Sequence, residues 1–160
     1  MGAATRVEDP VFLVGAERSG STMLHLMLDH HPEIAWLGQF EFAVDPLPET
    51  GGWPPLAELH RFLREDRMAR HSGVVVDPSL PVPDLLHSFL ARCRAERGAR
   101  RIGATVHRHF DRLLRVWPDA SFVHLVRDGR DVARSRIGMG WAGNVWTAAP
   151  AWREAEALWD

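Results

Sequence analysis

Residues 11–28 constrain this chain more than any other stretch. Val11, Phe12, Leu13 and Val14 form a short apolar, β-prone run, the pattern of a parallel strand covered on both faces. Gly15 ends the run, and from Thr22 onward Met23, Leu24, Leu26, Met27 and Leu28 recur at helical spacing. Between strand and helix, Gly15 and Gly20 have the spacing of a phosphate-binding loop, whose full pattern is Gly-x-x-x-x-Gly-Lys-Ser/Thr. Thr22 fits the last position. Ser21 stands where the lysine belongs, and Arg18 is the only cation of the loop. Anion binding survives this change, because successive backbone N–H groups and a helix N-terminus still converge on one concavity. Arg18 adds a planar fork of donors suited to phosphate or sulfonate oxygens. What is lost is the group that reaches the terminal phosphates of a nucleoside triphosphate, so the loop suits an ATPase or GTPase poorly. The simpler alternative is a Gly-Ser turn that caps the helix through Ser19 or Ser21.

With 160 residues the chain is long enough for one modest domain with its own core. A net charge of −2 leaves no basic field for bulk nucleic-acid binding. No run approaches a membrane span, and residues 1–10 lack an apolar signal region. Cys93 is the only cysteine, which rules out an internal disulfide and a thiolate metal cluster. A reducing cytoplasm is the simplest setting.

Residues 1–9 read as a flexible lead-in and 10–160 as the domain. Pro32 ends the first helix, and residues 34–37 read as a second strand. Residues 45–55 are a Pro- and Gly-rich loop. An amphipathic helix is predicted over 56–70, a short extended piece over 74–76, and a helix over 85–97 capped by Asp84 and stopped by Gly98. Residues 102–106 predict a strand, 107–117 a helix, and 121–126 a second buried strand. A helix from about Asp131, a glycine-rich loop over 138–143 with Trp141, and a last helix from Pro150 or Ala151 complete the chain. That helix carries Trp152 and Trp159 and reads as cut short, so the domain is expected to be incomplete at its C-terminus. Alternating strands and helices predict an α/β fold, a three-layer α/β/α sandwich around a central parallel sheet, with ligands at the carboxyl ends of the strands.

A second charged cluster follows the 121–126 strand. Arg127 leaves the strand at the edge where ligands sit in open α/β sheets, and Ser135 lies two turns into the next helix. The two can converge on a phosphate distinct from the one in the first loop. Arg130 and Arg134, four residues apart, share a helix face that a solvated salt-bridged surface would explain equally well.

A lysine-free phosphate loop, Arg18-Ser-Gly-Ser-Thr22, followed by Arg127 and Ser135 after a later strand, resembles the sulfotransferase family. The segment from Leu28 to Glu33 is similar to the helix end that follows the family's loop. The resemblance runs from about residue 10 to the end and implies a P-loop-NTPase-like fold. It also implies a co-substrate, 3′-phosphoadenosine 5′-phosphosulfate, and no metal. Arg18, Ser19, Gly20, Ser21 and Thr22 would hold its 5′ side, and Arg127 and Ser135 its 3′-phosphate. The implied reaction moves a sulfuryl group to an acceptor hydroxyl or amine, with Arg18 assisting at the transferring group. Two residues could take the acceptor's proton. Glu41, set first, resembles a glutamate of protein-tyrosine sulfotransferases; His107 resembles the histidine placement of cytosolic sulfotransferases. The implied acceptor is a small molecule, carbohydrate or lipid, and residues 45–55 and 138–146 are expected to border its pocket. The further helices and closing glycine-rich loop that the resemblance implies are not reached in this sequence, which reads either as a fragment or as a shortened relative with a partial donor site. Two rivals remain open: a P-loop kinase or other NTP-dependent transferase, and a non-catalytic nucleotide-binding or scaffold protein.

Overall fold

The computed structural model describes residues 6–159. Four strands, β1 (Val11–Val14), β2 (Ile34–Gln39), β3 (Arg101–Val106) and β4 (Ser121–His124), form one parallel sheet in the order β2-β3-β1-β4. The connection from β1 to β2 runs one way across the sheet; those from β2 to β3 and β3 to β4 run the other way. Right-handed crossovers therefore place the first connection on one face and the next two on the opposite face. The first contains α1 (Ser21–Asp29). The others contain α2 (Leu56–Glu65), α3 (Arg67–Ser72), α4 (Val82–Arg97) and α5 (Leu113–Val116). The result is the three-layer α/β/α sandwich that the alternation of elements predicts.

The core lies mainly on the face covered by α2, α4 and α5. Phe12 and Val14 of β1 join Ala35, Ile102 and Ala104 there, under Leu59, Leu85, Leu86 and Leu113. The Phe12 ring sits 5.2 Å from Trp117 and 6.4 Å from Phe40. The alternate residues of the strands face the other way. On that side Trp36 lies across Gly103 and donates its indole N–H to Thr105 Oγ1 at 3.1 Å. A smaller cluster of Ala16, Val132 and Ala155 ties α6 (Gly129–Gly138) to α7 (Val145–Ala157).

Several elements depart from the sequence pattern. The helix expected over 56–70 breaks at Asp66, which adopts an extended backbone and caps α3 by accepting from the Ala69 N–H at 2.8 Å. Residues 74–76 pair with no strand. Helix α4 starts at Val82 with Pro81 as its cap, and Asp84 instead pairs with Arg6. The helix expected over 107–117 is a 3₁₀ turn, Phe110–Arg112, followed by the short α5. Helix α7 begins at Val145, earlier than expected, because Asn144 and Thr147 form a reciprocal capping box. The strand expected over 121–126 is four residues long and lies at the sheet edge, half-exposed rather than buried. The apolar spacing of α1 does not mark a buried stripe either: Met23, Leu26 and Met27 are exposed and Ser21 is the helix's one buried residue.

Residues 1–5 of the expected lead-in lie outside the described residues, but the remainder is anchored. Val7 is buried, and its N–H and the Trp117 indole N–H both donate to His87 Nδ1, at 3.2 and 3.1 Å. His87 Nε2 donates to the Val116 carbonyl. Burial holds this imidazole below the usual histidine range, as befits a neutral ring used as a structural bracket.

Candidate functional site

Connections leave β1 and β3, which are neighbours, in opposite directions. That reversal is the switch point at which open α/β sheets form a crevice beyond their carboxyl ends. The loop after β1 and the segment after β3 flank it, and both carry residues singled out by the sequence.

The loop runs from Gly15 to Ser21. Gly15 has φ 131°, and a Cβ there would lie 2.4 Å from the Leu125 carbonyl oxygen, so the loop can approach the end of β4 only without a side chain. Gly20 caps α1 at φ 103° with no side-chain capping bond. The capping alternative for Ser19 and Ser21 is therefore not what the chain adopts. Ser19 Oγ is buried without a hydrogen-bond partner among the described residues, whereas Ser21 Oγ lies 2.8 Å from His107 Nε2. Thr22 is exposed on the first turn of α1.

His107 follows the last residue of β3, and Glu41 opens a 3₁₀ turn, Glu41–Ala43, just past β2. Both are buried. Glu41 Oε1 accepts from the His107 backbone N–H at 3.1 Å and from the His107 ring Nδ1 at 2.7 Å. Burial alone would push the Glu41 carboxyl up; the hydrogen bond and the nearby imidazole of His107 outweigh that and hold it below the ordinary glutamate range. An ionised carboxylate only accepts, so Nδ1 carries the proton. When the ring is neutral, Nε2 is left to accept from the Ser21 hydroxyl. The two residues offered as alternatives for one role are thus coupled parts of a Glu41–His107–Ser21 chain, and the second oxygen of Glu41 is buried without a partner among the described residues.

The loop also meets the second cluster. Arg18, held at φ 75°, donates its Nε–H to Ser135 Oγ at 3.0 Å. Arg127 donates to the Arg18 backbone carbonyl at 3.1 Å and lies 3.8 Å from Asp131. Arg127, Arg134 and Ser135 border one open cavity of about 460 Å³. Arg130 is not part of it: it forks onto Asp128, whose carboxyl its hydrogen bonds pull down to about 2. For Arg130 the solvated-surface explanation holds.

On the other side of His107 a second cavity of about 460 Å³ is walled by Glu17, Arg108, Arg136, Ala151 and Leu158. Its two arginines are held by carboxylates: Arg108 forks onto Asp45 at 2.9 and 2.6 Å, and Arg136 bonds Glu17 at 3.0 Å. Of the segments expected to border a pocket, Asp45 contributes through Arg108. Trp141 contributes through Arg18 and Arg136, whose guanidinium carbons each lie 5.6 Å from its ring centre. Trp146 is 89% exposed. Trp152 donates to the Arg127 carbonyl at 3.0 Å, and Trp159 stacks on His124, so neither stands free. A larger hollow of about 510 Å³ beside Leu37, Arg67 and His71 contains none of the motif residues. Arg136, Arg108 and Glu17 were not singled out by sequence. Their pairings span chain separations that no local pattern reports.

The family model described as "Sulfotransferase family" matches residues 10–159. The sulfotransferase domain of the Synechococcus PCC 7002 olefin synthase superposes on 99% of this chain and 63% of its own, with a TM-score of 0.62 at 15% identity. The sulfotransferase STF9 of Mycobacterium avium aligns over 96% of this chain and 48% of its own, with a TM-score of 0.46 at 18% identity. The chain thus spans less than two thirds of the length of either solved relative. No curated protein matches it.

Proposed function

The chain belongs to the sulfotransferase family, and on that premise we propose that it transfers a sulfuryl group from 3′-phosphoadenosine 5′-phosphosulfate to an acceptor hydroxyl or amine. The observation that carries the proposal is the convergence of both motifs on one crevice through the 3.0 Å bond between Arg18 and Ser135. A co-substrate with anionic groups at two ends needs two neighbouring anion sites, and the donor sets fit it. Backbone N–H groups of residues 19–22, the unpartnered Ser19 hydroxyl and Arg18 suit the 5′-phosphosulfate. Arg127 and Ser135, on one cavity, suit the 3′-phosphate.

The roles follow from charge. Sulfuryl transfer needs an acceptor in line, a base for its proton and positive charge near the transferring oxygens. His107 is the base, and Glu41 fixes its tautomer and balances the imidazolium that forms. The cavity beside His107, with charged walls and an Ala151–Leu158 floor, receives the acceptor, a small molecule, carbohydrate or lipid. The single cysteine makes the cytoplasm the proposed setting.

The test is calorimetric titration of the chain with 3′-phosphoadenosine 5′-phosphate, beside ADP, Mg-ATP and the Arg127→Ala variant. Micromolar binding of the 3′-phosphorylated nucleotide, at least ten times tighter than ADP and lost in Arg127→Ala, is the expected result. Preferential binding of Mg-ATP would refute the proposal in favour of a kinase.

A further inference from the structure

Ser21 occupies the position where a phosphate-binding loop has its lysine, and its hydroxyl is turned onto the ring of His107. We infer that Ser21 is a proton relay: the acceptor's proton reaches His107 through the Ser21 hydroxyl rather than directly. The inference rests on the transfer reaction proposed above and adds a residue to its chemistry.

An imidazole has two nitrogens. Nδ1 is committed to Glu41 at 2.7 Å, and the His107 backbone N–H, bonded to the same oxygen, pins the ring in that orientation. Nε2 has a single lone pair, and Ser21 Oγ holds it at 2.8 Å. Both ring nitrogens are thus engaged, so although His107 borders the cavity proposed for the acceptor, neither nitrogen has a free site for an acceptor hydroxyl. The Ser21 oxygen does. While its proton points at Nε2, its own lone pairs can accept a hydrogen bond from a group in the crevice. Ser21 is the first residue of α1, immediately after Gly20, so its oxygen sits beside the loop that takes the anion.

The acceptor oxygen forms a bond to the sulfuryl sulfur while the bond from sulfur to the bridging phosphate oxygen breaks, and that electron pair leaves on the nucleotide. The acceptor's proton moves to Ser21 Oγ as the Ser21 proton moves to His107 Nε2. The ring is then an imidazolium between Glu41 and Ser21. Its Nε2–H now donates to Ser21, whose hydroxyl hydrogen is freed to face the departing or arriving oxygens. A lysine brings a fixed charge to this spot; here the charge arrives with the proton, during the transfer.

Two measurements test the relay. The first needs no acceptor: ¹⁵N NMR of histidine-labelled protein in mildly alkaline solution. The His107 ring is expected as the Nδ1–H tautomer, with an Nε2 shift that moves in Ser21→Ala and is largely kept in Ser21→Thr. An Nε2–H tautomer, or an unmoved Nε2 shift in Ser21→Ala, overturns the inference. The second uses water as the acceptor, following release of 3′-phosphoadenosine 5′-phosphate from the sulfated donor. Ser21→Ala should lower the rate about 10²- to 10⁴-fold, the range for loss of acid–base assistance. Ser21→Thr should recover most of it, the rates being compared at saturating donor so that any change in donor binding drops out. Turnover unchanged in Ser21→Ala overturns the relay, as does a sulfated Ser21 found by mass spectrometry, which would make the serine a nucleophile. Failure of the wild-type chain to bind the product refutes the donor assignment instead; the NMR result then decides the geometry of the chain by itself.

Discussion

Arg18 is asked to do two things that oppose each other, and replacing it separates them. It sits at φ 75°, a conformation that costs a residue with a Cβ about 1–2 kcal/mol. Its side chain gives back a part-buried hydrogen bond to Ser135 at 3.0 Å, about 1 kcal/mol, and a contact with the Trp141 ring at 5.6 Å, about 0.5–1 kcal/mol at an exposed site. Arg18→Ala loses both contacts and keeps the strain, so it should destabilise by about 1.5–2 kcal/mol. Arg18→Gly loses the same contacts and sheds the strain, but gives the unfolded chain about 0.4–1 kcal/mol of extra entropy. Glycine should therefore be the more stable variant, by up to about 1.5 kcal/mol. Both should weaken binding of 3′-phosphoadenosine 5′-phosphate about equally. One guanidinium–anion hydrogen bond is worth about 1.5–3 kcal/mol, or about 10- to 150-fold in affinity. Urea denaturation and calorimetry on the same three proteins read both quantities. A glycine variant no more stable than the alanine one would refute the strain argument. Unchanged nucleotide affinity in both would refute the role of the guanidinium.

Two further outcomes follow from the fold and the buried chain. Gly103→Ala should destabilise by about 1–3 kcal/mol, the range for overpacking, because the new Cβ would meet Trp36 ring atoms at 2.5 Å and closer with β3 fixed beneath it; denaturant melts should show the loss relieved in a Trp36→Leu background. Glu41 has its carboxyl below the ordinary range in the folded chain, so its contribution is complete above the ordinary glutamate pKa and fades as pH falls through the folded value. Unfolding free energy measured from neutral to acid pH should accordingly fall less steeply in Glu41→Gln than in wild type, and equal slopes would contradict the assignment of an ionised Glu41.

How much of this was legible in the chain depends on the range of the interaction that fixed each part. Strand β1, its glycine loop and the start of α1 are set by neighbours within a few residues, and the pattern of 11–28 places them correctly. The break at Asp66 is also local, but its signal is a capping aspartate inside an unbroken apolar period, and the period was the louder of the two. Helix α7 began early for the same reason, since the Asn144–Thr147 capping box outweighs Pro150 as a start signal. The strand at 121–126 looked buried because its residues are apolar, yet burial is set by sheet order, and β4 lies at the edge of the described sheet. Composition cannot report that.

The site shows the same division more sharply. Arg18, Arg127 and Ser135 are readable because each stands at a fixed offset from a strand or a glycine. Their contact is not, since the Arg18–Ser135 bond closes over a separation of 117 residues. The choice between Glu41 and His107 arose because sequence treats residues one at a time, whereas a buried carboxylate and a buried imidazole cannot be assigned separately. The carboxylate needs a donor once water is gone, and the ring needs an acceptor on one nitrogen to have a defined lone pair on the other. Their side chains are 66 residues apart in sequence and 2.7 Å apart in space. Ser21, set against the lysine pattern alone, likewise reads as a defect. The serine hydroxyl lies 2.8 Å from His107 Nε2 and can both donate to that nitrogen and accept from a further group, whereas a lysine ammonium is a donor only, so serine in the loop and the Glu41–His107 pair beside it form one arrangement.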